Sequence, residues 1–175
     1  VLGDFITKTK NAGGYYIGRF EAGKVEENTN TFNIKKGQEV YNEITEPNAA
    51  NLARNLYNNS NFESDLINSY AWDTAIAFIQ AFSGDTNYSQ QRGRNTARAV
   101  QKSGESILDY NLDEGDVAQD IRCNIYDMAG NTREWSTETR SITDNPCVGR
   151  GSSYFFLGED YTSSRSDYGG TSASN

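Results

Sequence analysis

NIYDMAGNTREW, from Asn124 to Trp135, is the stretch on which the reading of this chain turns. Its Gly130-Asn131 pair supplies a tight turn tolerant of positive φ, and Trp135 is large enough to anchor the segment after it against a core. The block therefore reads as a rigid local structure. A Gly-Ser segment, VGRGSSY, comes a short distance later from Val148 to Tyr154.

Outward from this block, AQDIRCNIYDM before it has strand character, and Cys147-Val148 begins another strand after it. Two amphipathic helices lie upstream. In ITEPNAANLARNLY, Thr45 is a candidate N-cap with Pro47 in the first turn, and the pattern predicts a helix from about Glu46 to Tyr57. In SYAWDTAIAFIQAF, Trp72, Ala75, Ile76 and Ile79 form one stripe and Ser83-Gly84 is the stop. Nearer the start, YYIGRF (Tyr15 to Phe20) is aromatic and β-branched between glycines and predicts a strand. Glu21 to Glu39 reads as a loop or hairpin, and Asp85 to Asp116 as mostly irregular surface with a short turn at Asn95 to Val100. Helices followed by short strands and long loops give an α+β class in a single domain over residues 1–175.

Composition narrows function. The 175 residues carry 16 Lys+Arg and 24 Asp+Glu, a net charge of -8 with no basic run, which disfavours nucleic acid and anionic membrane surfaces. No stretch is long and apolar enough to span a bilayer, and VLGDFITKTK lacks the core of a signal peptide. A start on Val1 is compatible with removal of a leader or a further domain. Cys123 and Cys147 are too few for a disulfide framework and lack metal-site spacing; one bridge or two buried thiols are the readings open. The chain contains no histidine. That excludes Ser-His-Asp and Cys-His relays and His-ligated zinc or iron.

The Asn124–Trp135 block with the later Gly-Ser block resembles the formylglycine-generating-enzyme (sulfatase-modifying-factor) family, which carries Tyr-Asp-Met-x-Gly-Asn-x-x-Glu-Trp and then Arg-Gly-Gly-Ser. AWDTAIAFIQ stands where that family has its Trp-x-x-Ala helix. The resemblance implies a C-type-lectin-like fold. In calcium-binding relatives the loop ligates the ion, which carried over implies Asp127, Gly130, Thr132 and Glu134, an oxygen set suited to a hard cation. The other reading has Asp127 and Glu134 capping the turn or pairing with Arg133 or a neighbouring base. No cofactor is required, and calcium is the one the resemblance allows. The copper-binding cysteines of the family's oxidases fall at Phe156 and Tyr161 here, and its iron-dependent branch needs histidines; neither chemistry has its ligands. Glu159, Asp160 and Asp167 could form an acid-base pair, although carboxylates in a Ser-rich loop are usually solvated. A non-enzymatic role is expected.

Of the 26 residues from Arg150 to Asn175, Ser, Gly and Tyr contribute 14, a composition of binding loops, where rigid aromatic area combines with adaptable hydrogen bonding. Preceded by PCVGRG, this run is similar to the C-terminal segment of diversity-generating retroelement variable proteins of bacteria and phages, whose Asn-templated codons are randomised on the same lectin-type fold. The resemblance implies ligand contacts by Ser153, Phe155, Phe156, Leu157, Glu159, Asp160, Tyr161, Ser164, Ser166, Asp167, Tyr168 and Ser172. It implies a protein or glycan ligand and display on a phage virion or bacterial surface. Alternation across Tyr154, Phe155 and Phe156 would bury one or two of them. Gly151-Ser152 replaces the family's Gly-Gly, and the chain stops at Asn175 before the relatives' closing strand, so an open sheet edge is expected. A degenerate enzyme of the formylglycine-generating type and a structural phage-fibre domain are the competing expectations.

Overall fold

In the computed structural model, residues 2–25, 31–57, 61–91, 121–141, 144–153, 160–169 and 173–174 are described. They form a mixed α+β arrangement of three α-helices and small antiparallel sheets. Helix α1 spans Leu2–Ala12. Strands β1 (Gly23–Lys24) and β2 (Phe32–Asn33) pair as a hairpin, as the sequence led one to expect for this region. Strand β3 (Ile44–Thr45) runs into α2 (Glu46–Asn55), where Thr45 is the extended N-cap residue and Pro47 lies in the first turn. Thr45 makes no side-chain capping bond.

Helix α3 (Ser69–Phe82) carries the core. The Asn68 side chain accepts from the Ala71 amide at its start, satisfying one of the donors a helix leaves open. Its inner stripe of Ala71, Trp72, Ala75, Ile76 and Ile79 is buried, and Gly84 at φ +83 follows its end. Trp72, Ile76 and Ile79 pack with Tyr88, Ile125, Met128 and Ala129 into one cluster. Strands β4 (Ile121–Arg122) and β5 (Ile125–Tyr126) form a hairpin whose two turn residues, Cys123 and Asn124, both take positive φ. Two adjacent left-handed residues give the turn a twist that matches antiparallel strands.

A three-stranded sheet organises the C-terminal part: β6 (Glu134–Thr139), β7 (Cys147–Arg150) and β8 (Arg165–Tyr168), in that order. Residues facing each other across strands share a side of the sheet. Glu134, Arg150 and Arg165 form one row and Trp135, Gly149 and Ser166 the next. The first side meets α3 through Arg150, which bonds Ser69 and Asp73. On the other side the Trp135 indole donates to the Ile44 carbonyl (2.8 Å), and Cys147 lies near Glu46.

Several expectations are corrected. YYIGRF forms no strand: its one backbone bond to a neighbouring strand runs from the Tyr126 amide to the Arg19 carbonyl, and its rings serve packing, with Phe20 on Tyr126 and Tyr15 on Phe5. Tyr15 also donates to the Ala71 carbonyl. The Gly130-Asn131 turn does take positive φ as expected, at Asn131, and Asp127 adopts it as well. Near the end of the chain β9 (Ala173–Ser174) pairs antiparallel with β3, while β8 stands at an edge of the three-stranded sheet among the described residues. Both cysteines are free thiols, Cys147 buried and Cys123 half-buried. The turn expected at Asn95 to Val100 lies outside the described residues. Among those described, no helix is long and apolar enough to cross a membrane.

Candidate binding face and carboxylate loop

The turn Tyr161–Ser164 is fixed by its own bonds and by bonds to the framework. The Ser164 amide donates to the Tyr161 carbonyl (2.8 Å), and the Tyr161 amide donates to Ser164 Oγ (2.8 Å). The amides of Thr162 and Ser163 donate to the carbonyls of Gln91 and Ser89, bolting the turn to a 3-10 turn at Tyr88–Gln90. Thr162 is buried, and its carbonyl accepts from the Trp72 indole (3.0 Å). With both flanks held, the Tyr161 side chain is left at the surface, 39% exposed.

The other expected contact residues are placed differently. Ser153 is buried beneath the surface. Asp160, Ser164, Ser166, Asp167 and Tyr168 are half-buried. Phe155, Phe156, Leu157, Glu159 and Ser172, with Tyr154, lie outside the described residues. Asp160 pairs with Arg133, and the Tyr168 hydroxyl accepts from the same guanidinium. Asp167 Oδ2 accepts from Arg140 Nη1 (3.1 Å), and Arg140 Nε lies 3.0 Å from Asp167 Oδ1 in the same ion pair. Arg165 bridges Asp73 (2.7 Å) and Glu138 (3.1 Å). Arg150, 0% exposed, reaches the same two carboxylates from below with its guanidinium 5.7 Å over the Trp72 ring. Burial pushes Arg150 below the usual arginine range, opposed by Asp73. Burial raises Glu138, yet the Ser69 hydroxyl and the two arginines outweigh it and hold the carboxyl below its ordinary value.

Sequence reasoning missed the framework partners Arg133, Arg140, Asp73 and Glu138. Arg133 was an expected partner for Asp127 or Glu134; the structure places it on Asp160 and Tyr168. No periodic pattern marks such residues, because each is matched to a residue far away in the chain.

The loop from Asp127 to Glu134 places three carboxylates together, the third being Glu21 from the N-terminal part. The Gly130 amide donates to the Asp127 carbonyl (3.1 Å), closing the turn. Glu21 accepts from the Thr132 amide (3.2 Å), the Thr132 hydroxyl (2.8 Å) and the Asn131 side chain. Asp127, Gly130 and Thr132 are buried and Glu134 is half-buried. Burial, then the neighbouring Asp127 charge, pushes the Glu21 carboxyl up to about 8. Burial and the neighbouring Glu21 likewise raise Glu134 well above the carboxylate range.

Three clustered carboxylates need a proton or a hard cation to neutralise them. Glu134 Oε2 is sealed from solvent without a hydrogen-bond donor on it. It converges with the Met128 carbonyl over Gly151, where an added Cβ would lie 3.1 and 3.0 Å from these oxygens. An oxygen-only donor set with a sealed acceptor fits calcium. Among the described residues no three His, Cys, Asp or Glu side chains are spaced to hold one metal ion, so a cation here would draw on backbone carbonyls such as those of Gly130 and Thr132.

Compared with known proteins, the chain matches no family model, no curated protein and no solved structure.

Proposed function

We propose that this chain is a non-enzymatic ligand-binding domain of C-type-lectin-like fold, of the kind diversified by a retroelement, with its contact face on the C-terminal segment. The observation that carries the reading is the Tyr161–Ser164 turn, whose backbone is bonded on both flanks while Tyr161 is 39% exposed at the surface. Such a turn presents contact area without the entropic cost of ordering a loop on binding. The chain's lack of histidine and the placement of Phe156 and Tyr161 at the copper-cysteine positions support a role in recognition. On this reading the ligand is a protein or glycan at a phage or bacterial surface, and calcium, held by Asp127, Glu134 and the carbonyls of Gly130 and Thr132, neutralises the loop and stiffens the support beneath the face.

The encoding locus tests the proposal. A near-copy of the codons after Arg150, differing mainly at adenines and lying beside a reverse transcriptase, is the expected finding; a locus with neither overturns it. An array of bacterial surface glycans and surface proteins supplies the binding arm. Tyr161→Ala should keep the thermal midpoint and lose the array signal, whereas failed assembly with that substitution would favour a structural fibre role.

A further inference from the structure

Helix α3 is apolar even on the side that the fold leaves open. Over its last two turns, Ala75 to Phe82 (AIAFIQAF), Gln80 is the one polar residue, and its amide donates to the Thr86 carbonyl (2.7 Å). Ala75, Ile76 and Ile79 go to the core, while Ala77, Phe78, Ala81 and Phe82 are exposed. A helix hydrophobic on every side is one that is covered on every side. The Phe78 and Phe82 rings meet with centroids 4.9 Å apart and form one ridge, the two residues being 46% and 73% exposed. Beside Phe82 lies an open hollow of about 720 Å³, walled by Ser83, Gly84 and Asp85 after the helix and by Ile121, Arg122 and Cys123 of the β4–β5 hairpin. Ile121 is 37% exposed there. The charged residues of the hollow are Asp85 and Arg122, which pair with each other at 3.4 Å.

We infer that this ridge and hollow form a docking surface for a second copy of the same chain, paired about a two-fold axis close to Phe82. Two observations choose that occupant. A projecting ring stands next to a hollow, so a two-fold operation seats each copy's Phe82 in the hollow of the other, with no second kind of surface required. The patch is also neutral on a chain of net charge -8. Its acid and its base answer each other, which gives a charged partner little to gain and lets two chains of like net charge meet where neither carries an excess. A ridge of two rings and one hollow falls short of the roughly 800 Å² per partner of a standard interface, so the pair is a weak one. The inference is independent of the proposed binding role. The Tyr161–Ser164 turn meets α3 from its core side, through the buried Trp72, so pairing over Phe82 leaves both candidate contact faces open.

Sedimentation velocity of the full chain from about 5 to about 500 µM, a range that brackets weak self-association, tests the inference. The wild type should pass from monomer to dimer across the series. It should do so more readily at high salt, because screening relieves the repulsion between two copies of charge -8 while no ion pair spans the patch. Phe82→Glu and Ile121→Glu should each raise the dissociation constant about tenfold or more, since a two-fold interface meets every substitution twice. Tyr16→Glu, at a residue 95% exposed outside the patch, should leave it unchanged. Thermal midpoints at low concentration check that each variant folds, and Phe82→Ser serves if Phe82→Glu does not. A second measurement needs no variant: Cys123 lines the hollow and Cys147 is buried, so maleimide labelling of Cys123 should slow as the wild type is concentrated. A wild type monomeric throughout, which would leave the patch to a different protein, overturns the inference, as does a dimer that Phe82→Glu leaves intact or a labelling rate blind to concentration. None of these readouts involves the C-terminal segment, so their failure is separable from failure of the binding role, which the locus and the array report.

Discussion

In chelator the protein should lose stability as pH rises from about 5 to about 8, and Glu21 should account for much of the loss. The Glu21 carboxyl is pushed up to about 8 by burial and by Asp127, against 4.5 for an unperturbed glutamate. Between those values the folded chain keeps a proton that the unfolded chain has released, so each rise in pH favours unfolding. The contribution is therefore fully present below 4.5 and gone above about 8. Across the whole window one such carboxyl is worth up to about 5 kcal/mol, comparable to the total stability of a marginal domain. Glu134, raised by burial and by Glu21, adds in the same direction. Glu138, held low, acts in a separate window, its stabilisation being lost only as pH falls below the ordinary carboxylate range. The assay is urea unfolding followed by tryptophan fluorescence in EDTA at several pH values, with the denaturant slope checked for constancy. Glu21→Gln retains an oxygen for the Thr132 amide and hydroxyl but cannot titrate, so it should flatten most of the decline. Calcium should restore stability near pH 8 more than near pH 5, since cation and proton compete for the same oxygens. Wild-type protein equally stable at both ends of the range in chelator, or an unaltered slope after Glu21→Gln, would refute the reasoning.

Two further substitutions probe the supports of the face. Arg150→Met removes the guanidinium shared by Ser69, Asp73 and Glu138 and should cost about 3 kcal/mol in urea unfolding, at the lower end for a broken buried pair because Asp73 is 47% exposed and keeps Arg165. Gly151→Ala forces an alanine to φ +78 with its methyl against the Met128 carbonyl and Glu134 Oε2, which should cost about 2 kcal/mol and abolish any calcium-dependent rise of the thermal midpoint.

Helix α3 was legible because two local signals agree, a stripe of apolar residues and Gly84 beyond the end; its cap at Asn68 came only with the structure. Strand β7 was legible in part, its Cys147-Val148 start being apolar and buried. The strands flanking it were not. In β6, EWSTET, the small polar residues pass for a loop, yet Ser136 is buried and its hydroxyl donates to the Val148 carbonyl. In β8, RSDY, the two charged residues face partners drawn from α3, β6 and Arg140, so no apolar alternation exists to be read. YYIGRF shows the reverse failure, since aromatic and β-branched residues signal a strand wherever rings pack, with or without a ladder. The two-residue strands β1, β3 and β9 are shorter than any period. Helix α1 escaped because none of its residues from Gly3 to Ala12 is fully buried, and Lys8 pairs with Glu63 at the surface.

The candidate site was legible as composition and hidden as geometry. Ser, Gly and Tyr after Arg150 mark a surface, but the same tally cannot tell Tyr161, whose ring reaches solvent, from Tyr168, whose ring lies on Gly149 beside Trp135. The distinction comes from arginines upstream. For a chain of net charge -8, a polar skin over an apolar core is the simple expectation. Arg133 and Arg150 are instead buried, each facing carboxylates from distant segments. Arginine suits that position because its planar fork meets several oxygens at once and loses less freedom per bond than lysine would. A buried ionic frame of this kind adds little net stability but penalises every arrangement that separates the partners. It therefore fixes where the strands lie: Arg150 and Arg165, on neighbouring strands, meet the same two carboxylates, Asp73 on α3 and Glu138 on β6, so any register that parts them strands a charge.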